Sequence, residues 1–471
     1  MKDLSAIFEP RSVAIVGASA NPVKWGCIIP SNILMNSFDG GIYLINPKGE
    51  EILGMEVYKN IKDVPGEVDL AIIVRPSETC LSHIEECVDK GVKSIILLSG
   101  GFSEAGDGGT ALENRIVDVV RGKNVPLVGP NTMGIYSAPV SLSALMPPVT
   151  PKKGPISFIS QSGNIGTNIL SFGGEMGLGF NKFVSCGNAA DIDIADYLEY
   201  LDSDQKTKVV VLYMEGVRDG RKFMDVAKRV SLKKPIIAYK AGKTAKGVMA
   251  AASHTGALAG SSKVYQSAFK QCGITEASTV NEITDLARAF LYLPLPKGNK
   301  VGIVTWGGGY GVVATDACED AGLEVPELDE EVLEALDKIL PPYWSKGNPV
   351  DLVAMMEGVI EGKMPDILDI LVKSDGIDAV IASGYILGGI NPTNQKTEGF
   401  TTFYDEVNRN NVAKIIELMK KYEKPIIPVT TVADQRAVQR FSEEEIVIYS
   451  SLESTANILA KMFGRYKYLE W

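Results

Sequence analysis

His254 is the residue best suited to chemistry in this sequence, because only two of its 471 residues are histidines. It lies in the segment ASHTGALAG (252–260), where most neighbouring side chains are small. A neutral imidazole, whose pKa is about 6.5, can attack phosphorus directly and form a phosphohistidine. Small neighbours leave room for an approaching phosphate or acyl group and let a loop move. A histidine with only a structural role is the alternative.

Glu215 is the candidate partner of this histidine. A nucleophilic imidazole needs an acceptor, usually a carboxylate, that orients its other nitrogen. Glu215 follows the run VVVLYM (209–214), which predicts a buried strand, so the carboxylate is expected at the carboxyl end of that strand. It is equally compatible with an ordinary strand-end charge. His83 lies in an amphipathic segment and is expected to be structural.

The segment ISFISQSGNIG (156–166) predicts a strand, a tight turn and a helix. Gln161, Ser162 and Gly163 would expose backbone N–H groups at the start of that helix, where anions bind. Ser162 would also cap the helix, which uses the same geometry. We therefore expect a phosphate site at this turn.

The first predicted strand and turn, VAIVGAS (13–19), are typical of a nucleotide-binding unit. The spacing from Gly17 to Gly26 does not match the G-x-G-x-x-G pattern of NAD binders, and Lys48 lies where these proteins carry an acidic residue. Lysine suits a phosphate, so coenzyme A is favoured over NAD, and Lys24 beside the turn supports this. Lys48 is also compatible with an ordinary solvent-exposed lysine. Loops at 74–79, 99–106 and 129–134 are expected to line the same crevice.

Short β-branched runs between helical segments predict the scaffold that positions these residues. Three series of such runs each begin with a strand, a Gly-rich turn and a helix, and Pro-rich stretches at 143–155 and 293–300 separate them. The pattern predicts an α/β fold of three doubly wound domains. We place the boundaries near 148 and 297, which gives domains 1–148, 149–296 and 297–471.

Composition limits the partners. The net charge of −11 argues against a nucleic-acid-binding or anionic-membrane surface. The six cysteines form no C-x-x-C pair and show no spacing typical of a metal site, which fits a reducing cytoplasm. No apolar run has the length of a membrane span or a signal peptide. We expect a soluble cytoplasmic protein without a metal site of its own.

On its motifs the chain resembles the α subunit of ADP-forming (NDP-forming) acetyl-CoA or acyl-CoA synthetases, in the succinyl-CoA synthetase superfamily. The motifs that carry the resemblance are VAIVGAS, INPK, GPNTMG, ISQSG, CGN followed by DID, YMEG, ASHTGALAG and GNPVDL. They cover the whole chain in order.

The resemblance implies an N-terminal CoA-binding Rossmann domain followed by two flavodoxin-like CoA-ligase domains. It implies conversion of acyl-CoA, ADP and phosphate into the free acid, CoA and ATP, with Mg²⁺. His254 would carry the phosphoryl group and Glu215 would orient it. The phosphate-binding residues would be Asn131, Gln161, Ser162 and Gly163, and the CoA-binding residues Gly17, Ser19, Lys24, Lys48 and Pro76.

The sequence shows no ATP-grasp region and no P-loop, so the resemblance implies a separate β subunit that binds the nucleotide and Mg²⁺, in an α2β2 assembly. Two alternatives stay open. One is a CoA-binding regulatory module without turnover, and the other is a different acid–thiol ligase of the succinyl-CoA synthetase type, such as a citrate-lyase-like enzyme. The acyl group and the choice between ADP and GDP are open as well.

Overall fold

The structure, a computed structural model, describes residues 2–49, 51–249, 261–353, 363–384, 398–430, 441 and 446–470. Its strands form three sheets with helices between them, as the sequence predicts. Most central strands are buried along their whole length, which explains their continuous Val, Ile and Leu content. Each fully buried aliphatic side chain contributes about 1.5–3 kcal/mol relative to an exposed one.

The first sheet has the strand order of a dinucleotide-binding fold. Its strands are β1 (Ser12–Val16), β2 (Gly41–Ile45), β3 (Val57–Tyr58), β4 (Leu70–Ile73), β5 (Ser94–Leu97) and β6 (Leu127–Val128). Its helices are α1 (Ser5–Phe8), α2 (Trp25–Met35), α3 (Ser77–Lys90) and α4 (Asp107–Gly122). All pairings are parallel, in the order β3-β2-β1-β4-β5-β6. The strand order reverses between β1 and β4, and ligands bind at such a point.

The second sheet combines a parallel core with an antiparallel edge. Its strands are β7 (Gly134–Ser137), β8 (Leu142–Leu145), β9 (Lys153–Ser160), β10 (Phe180–Ser185), β11 (Val209–Met214), β12 (Ile236–Lys240) and β13 (Ile274–Glu276). Its helices are α5 (Gly163–Glu175), α6 (Ile194–Asp202), α7 (Gly220–Ser231) and α8 (Ser262–Cys272). The order is β13-β12-β11-β9-β10-β7-β8. The five parallel strands have the flavodoxin-like arrangement, with the reversal between β9 and β11.

The hairpin β7–β8 was not predicted from the sequence. It precedes the boundary that we placed near 148, yet β7 pairs antiparallel with β10 of the second sheet. Both strands are fully buried, but GIYS and LSAL are too short and too mixed in composition to show a strand pattern. The boundaries near 148 and 297 stay predictions.

The third sheet is parallel, in the order β15-β14-β16-β17. Its strands are β14 (Val301–Thr305), β15 (Val350–Asp351), β16 (Ala379–Ser383) and β17 (Ile426–Val429). The helices of this part of the chain are α9 (Val280–Tyr292), α10 (Gly308–Asp320), α11 (Glu330–Asp337), α12 (Lys363–Lys373), α13 (Glu398–Tyr422) and α14 (Leu452–Glu470). The predicted strand at 446–450 makes a single parallel bridge, from Tyr449 to Val429.

Contacts between residues group the chain into two compact units, residues 1–174 with 178–283, and residues 175–177 with 284–471. The first two sheets belong to the first unit. Among the described helices, none is long and apolar enough to cross a membrane.

A buried ion pair stabilises the second sheet. The ammonium of Lys182 on β10 lies 2.9 Å from a carboxylate oxygen of Asp204, and the Lys182 side chain is 2% exposed. Thr207 donates to the same oxygen at 2.7 Å. Burial alone would raise the pKa of Asp204, but the hydrogen bonds from Lys182 and Thr207 and the charge of Lys182 outweigh it, so this pKa lies below its usual value.

Candidate active site

A cavity of about 330 Å³ lies among loops of the first two sheets. Segments that follow β4, β5 and β6 meet segments that follow β9 and β10. The carboxyl ends of parallel strands from both sheets therefore contribute to the cavity. The lining residues are Trp25, Val74, Leu98, Ser99, Gly100, Asn131, Thr132, Met133, Met146, Gln161, Ser162, Gly163, Asn164, Gly187 and Asn188. Four predicted phosphate-binding residues, at positions 131, 161, 162 and 163, are among them.

The turn after β1 is held close to the neighbouring strand ends. Gly17 has φ +102°, and a Cβ atom there would collide with the carbonyl oxygen of Val74 at the end of β4. Asn46 donates from its side chain to the carbonyl of Ala18 at 2.7 Å, and the N–H of Ser19 donates to the carbonyl of Gly26 at 3.0 Å. The reversal point of the first sheet is therefore built from closely packed backbone.

The other predicted CoA-binding residues lie around this turn but do not line the cavity. Lys24 immediately precedes α2, and Lys48 follows β2; both side chains are exposed. Pro76 is the exposed residue before α3. Trp25, the first residue of α2, lines the cavity and is 43% exposed. This tryptophan was not predicted from the sequence, although it directly follows Lys24.

The turn after β9 forms the opposite wall. Helix α5 begins at Gly163, and the N–H of Gly166 donates to the carbonyl of Ser162 at 3.0 Å. The hydroxyl of Ser160 donates to the same carbonyl at 2.6 Å. A Cβ atom at Gly163 would collide with the side chain of Met133, so a larger residue fits here only if Met133 moves. This start of a helix, beside a cavity, is suited to hold an anion.

Gln161 connects this turn to Glu215. Its side-chain oxygen accepts hydrogen bonds from the backbone N–H groups of Glu215, at 2.6 Å, and Gly216, at 3.0 Å. Its own N–H donates to the carbonyl of Tyr213 at 3.1 Å. The contacts span the reversal point between β9 and β11. The side-chain oxygen of Gln161 thus holds the segment that carries Glu215.

Lys240, at the end of β12, is a buried cation near Glu215 that the sequence analysis did not select. It is 1% exposed, and its ammonium lies 4.8 Å from the ring centre of Tyr265. The Tyr265 hydroxyl accepts a hydrogen bond from the N–H of Val217 at 3.2 Å. Burial lowers the pKa of Lys240, while the charge of Glu215 opposes this shift. Burial and the charge of Glu215 also raise the pKa of Tyr213 to about 12.

Asn131 reaches the cavity from the loop after β6. Its N–H donates to the carbonyl of Ser99 at 2.9 Å, and its side-chain amide donates to the side-chain oxygen of Asn188 at 3.3 Å. Asn188 also lines the cavity. Asn188 is the last residue of the CGN motif, but no role for it was predicted from the sequence.

His254 lies outside the described residues, so its predicted contact with Glu215 stays a prediction. Within the described ranges no three His, Cys, Asp or Glu side chains are grouped in a way that suits a metal ion. The residues that line the cavity offer backbone N–H, amide and hydroxyl groups instead of carboxylates, a set that suits phosphate rather than Mg²⁺.

Three family models match successive parts of the chain. A CoA binding domain matches residues 11–138, a succinyl-CoA ligase like flavodoxin domain matches residues 153–290, and a ligase-CoA domain matches residues 301–464. Each match contains the parallel strands of one sheet, while β7 of the second sheet lies within the first match.

Relatives match almost the whole chain. The acetate–CoA ligase (ADP-forming) II subunit alpha of Pyrococcus furiosus is 42% identical over 408 residues, which are 86% of this chain and 88% of the relative. The 4-hydroxybutyrate–CoA ligase (ADP-forming) of Nitrosopumilus maritimus is 32% identical over 99% of this chain and 64% of the relative. The structure of an acetyl-coenzyme A synthetase from Ca. Korarchaeum cryptofilum, in complex with phosphate and ADP, is 33% identical, with a TM-score of 0.86 over 100% of this chain and 99% of that chain. The chain therefore belongs to the family of ADP-forming acetate–CoA ligase α subunits.

Proposed function

We propose that this chain is the α subunit of an ADP-forming acyl-CoA synthetase, which converts acyl-CoA, ADP and phosphate into a carboxylic acid, CoA and ATP. The observation that carries the proposal is the shared cavity. One side of the cavity is the start of α2, which lies beside the turn of a CoA-binding fold. The other side is the start of α5, which is suited to bind phosphate. The names of the Pyrococcus and Korarchaeum relatives support this reaction.

The first step takes place where these two walls meet. An oxygen of phosphate attacks the carbonyl carbon of the thioester, the carbon–sulfur bond breaks, and the electron pair leaves with the sulfur of CoA, which takes up a proton. The N–H groups at the start of α5 offset the charge of the phosphate, an effect typically worth about 0.3–1 kcal/mol for each charge at a helix terminus. Gly17, Ser19, Lys24, Lys48 and Pro76 are assigned to CoA, and Asn131, Ser162 and Gly163 to phosphate.

His254 then accepts the phosphoryl group. A nitrogen of its imidazole attacks phosphorus, and the bond from phosphorus to the acyl oxygen breaks, which releases the acid as a carboxylate. Glu215 accepts the N–H of the other ring nitrogen and stabilises the cationic ring. The hydrogen bonds from Glu215 and Gly216 to Gln161 support this role, because they fix the segment that carries the carboxylate.

A partner subunit completes the reaction. A terminal oxygen of ADP attacks the phosphohistidine, which gives ATP and restores the imidazole. We assign ADP and Mg²⁺ to an ATP-grasp β subunit in an α2β2 assembly. The Pyrococcus relative is named subunit alpha, and this chain covers only 64% of the Nitrosopumilus relative, which leaves part of that protein for the remaining steps. We place the enzyme in the cytoplasm, since its six cysteines are all buried and unpaired.

An activity assay tests the proposal. The chain and its partner subunit would be mixed with ADP, phosphate and each of a panel of acyl-CoA thioesters, and ATP formation would be measured. We expect ATP and free acid in equal amounts with at least one thioester, and none without the partner. Binding of CoA without ATP formation from any thioester would instead support a regulatory module.

A further inference from the structure

We propose that Asn188 is a positioning residue that orients the side chain of Asn131, so that Asn131 presents an N–H donor to the reacting phosphate. This inference rests on the proposed function and adds a residue to its phosphate site. Both side chains line the cavity, on loops that follow β6 and β10.

Two carboxylates determine which end of the Asn188 side chain faces them. Its amide nitrogen donates to Glu104 Oε2 at 2.5 Å and to Glu113 Oε2 at 2.9 Å, and it also contacts the hydroxyl of Ser103 at 3.1 Å. Charged carboxylates only accept hydrogen bonds, so the NH₂ group must lie on this side. The side-chain oxygen of Asn188 is therefore directed away from the carboxylates.

Glu104 is held in its charged form. Burial alone would raise its pKa, but hydrogen bonds from Asn188 and from the N–H groups of Gly101 and Phe102 outweigh burial, so the pKa of Glu104 lies below its usual value. Glu113 Oε1 lies 4.0 Å from a guanidinium nitrogen of Arg218. The amide of Asn188 therefore faces the charged carboxylate of Glu104.

The orientation of Asn188 sets that of Asn131. Because the Asn188 oxygen is directed away from the carboxylates, it accepts one N–H of the Asn131 side chain at 3.3 Å. The same NH₂ group of Asn131 keeps a second N–H for an acceptor in the cavity, and phosphate is such an acceptor. With Asn188 reversed, two NH₂ groups would face each other and Asn131 would have to present its oxygen.

The backbone holds the two loops together independently of these side chains. The N–H of Asn188 donates to the carbonyl of Pro130 at 2.9 Å, and the N–H of Ala190 donates to the carbonyl of Gly129 at 3.0 Å. Arg218 donates to the carbonyl of Asn188 at 3.2 Å. A change of side chain at 188 is thus expected to alter the donor and acceptor pattern more than the path of the chain.

The test is Asn188→Asp, assayed in the complete enzyme. The variant places a third carboxylate beside Glu104 and Glu113, with Arg218 as the nearby cation, and it removes the donor that both carboxylates use. Repulsion from Glu104 and Glu113 should displace the new carboxylate, so that its oxygen no longer accepts from Asn131. We expect the KM for phosphate to rise about tenfold or more, the cost of losing a hydrogen bond to a charged group, while the KM for acyl-CoA changes less than about twofold. Lowering the pH should reduce the defect, since a proton shared among the three carboxyl groups restores a donor.

The double variant Asn188→Asp, Glu113→Gln restores the pattern in reverse. The new amide at position 113 donates to the new carboxylate at position 188, this carboxylate still accepts from Asn131, and the charge of the cluster is that of the wild type. Glu104 Oε2, which lies 2.5 Å from the Asn188 amide nitrogen in the wild type, still faces the new carboxylate, so we expect the phosphate KM to recover in part. The matched control is Asn124→Asp, because Asn124 is an exposed loop residue outside the cavity. We expect this variant to have wild-type kinetics.

An unchanged phosphate KM in Asn188→Asp would overturn the inference. A double variant whose phosphate KM stays about tenfold or more above the wild-type value would overturn it as well, and this comparison does not require the single variant to fold. In either outcome the wild-type enzyme still forms ATP, so the proposed function stands. A wild-type enzyme without turnover would count against the proposed function itself, and the inference would fall with it.

Discussion

The side-chain oxygen of Gln161 accepts a hydrogen bond from the backbone N–H of Glu215 at 2.6 Å. A second bond, from Gly216, reaches the same oxygen at 3.0 Å. Gln161 lies next to the Ser162–Gly163 turn, which we assign to phosphate. Its side chain therefore connects that turn to the segment that carries Glu215, the carboxylate that we pair with His254. The two parts of the proposed site are therefore expected to move together.

Gln161→Ala removes both of these hydrogen bonds. We expect kcat to fall about 10- to 100-fold, because two buried N–H groups lose their acceptor and Glu215 is no longer held in place. Gln161→Glu keeps an acceptor for both N–H groups but adds a negative charge beside the phosphate, so it should mainly raise the KM for phosphate. Steady-state kinetics of both variants check this, with the exposed Gln271→Ala as the control. If Gln161→Ala and Gln161→Glu changed kcat to the same extent and also changed the phosphate KM to the same extent, the assignment of Gln161 as the residue that holds the Glu215 segment would be contradicted.

Gly163→Ala places a methyl group where the side chain of Met133 already lies. We expect a loss of about 1–3 kcal/mol in the free energy of unfolding and a weaker phosphate site, because the start of α5 must shift. Adding Met133→Ala should recover much of the stability, since the colliding atoms are removed. Denaturant unfolding and phosphate KM measure both effects.

The matched control for this pair is Gly174→Ala on the same helix. A Cβ atom at Gly174 meets no atom within 4 Å. Alanine there should be neutral or stabilise the protein by about 0.5–1 kcal/mol. Strictly additive effects of Gly163→Ala and Met133→Ala would show that the predicted collision does not matter.

Asp204→Asn removes a carboxylate that lies 2.9 Å from the buried ammonium of Lys182, while Glu9, at 3.3 Å, remains. We expect a loss of about 1–3 kcal/mol in the free energy of unfolding at pH 7, because Lys182 stays buried and keeps the more exposed of these two partners. The pKa of Asp204 is lowered in the folded state from 3.8, so its contribution is present above that value and is lost as the pH falls through the folded-state pKa. The difference between variant and wild type should therefore shrink below about pH 4.

The control for this prediction is Asp89→Asn, which breaks the exposed pair of Lys62 and Asp89. Its effect should be below about 1 kcal/mol. Unfolding curves recorded at several pH values compare the two variants, and a difference for Asp204→Asn that is constant from about pH 7 to about pH 3 would contradict the predicted linkage.

Features that depend on a local pattern of residues could be predicted from the sequence. The strand at VVVLYM has the predicted bounds, and the turn at Ser162–Gly163 lies at a helix start as expected. The family resemblance and the α/β fold are confirmed by the relatives and the three sheets.

The remaining features depend on contacts between distant segments, which no local pattern encodes. The hairpin β7–β8 becomes a strand pair because it extends the edge of a sheet formed later in the chain. Asn188 acquires its position from Glu104 and Glu113, more than 70 residues earlier. In the sequence, Lys240 is an ordinary strand-end lysine. It becomes a buried cation because Tyr265 and the segment that carries Glu215 pack around it.

Phosphorylation of His254 is the step on which the proposed mechanism depends, and radioactive labelling detects it. The chain and its partner subunit would be incubated with [γ-³²P]ATP, and the label on the chain would be located and tested for acid stability. We expect an acid-labile label on His254 that acyl-CoA synthesis removes and that His254→Asn lacks. A His254→Asn chain that is labelled to the same extent as the wild type would show that His254 does not carry the phosphoryl group.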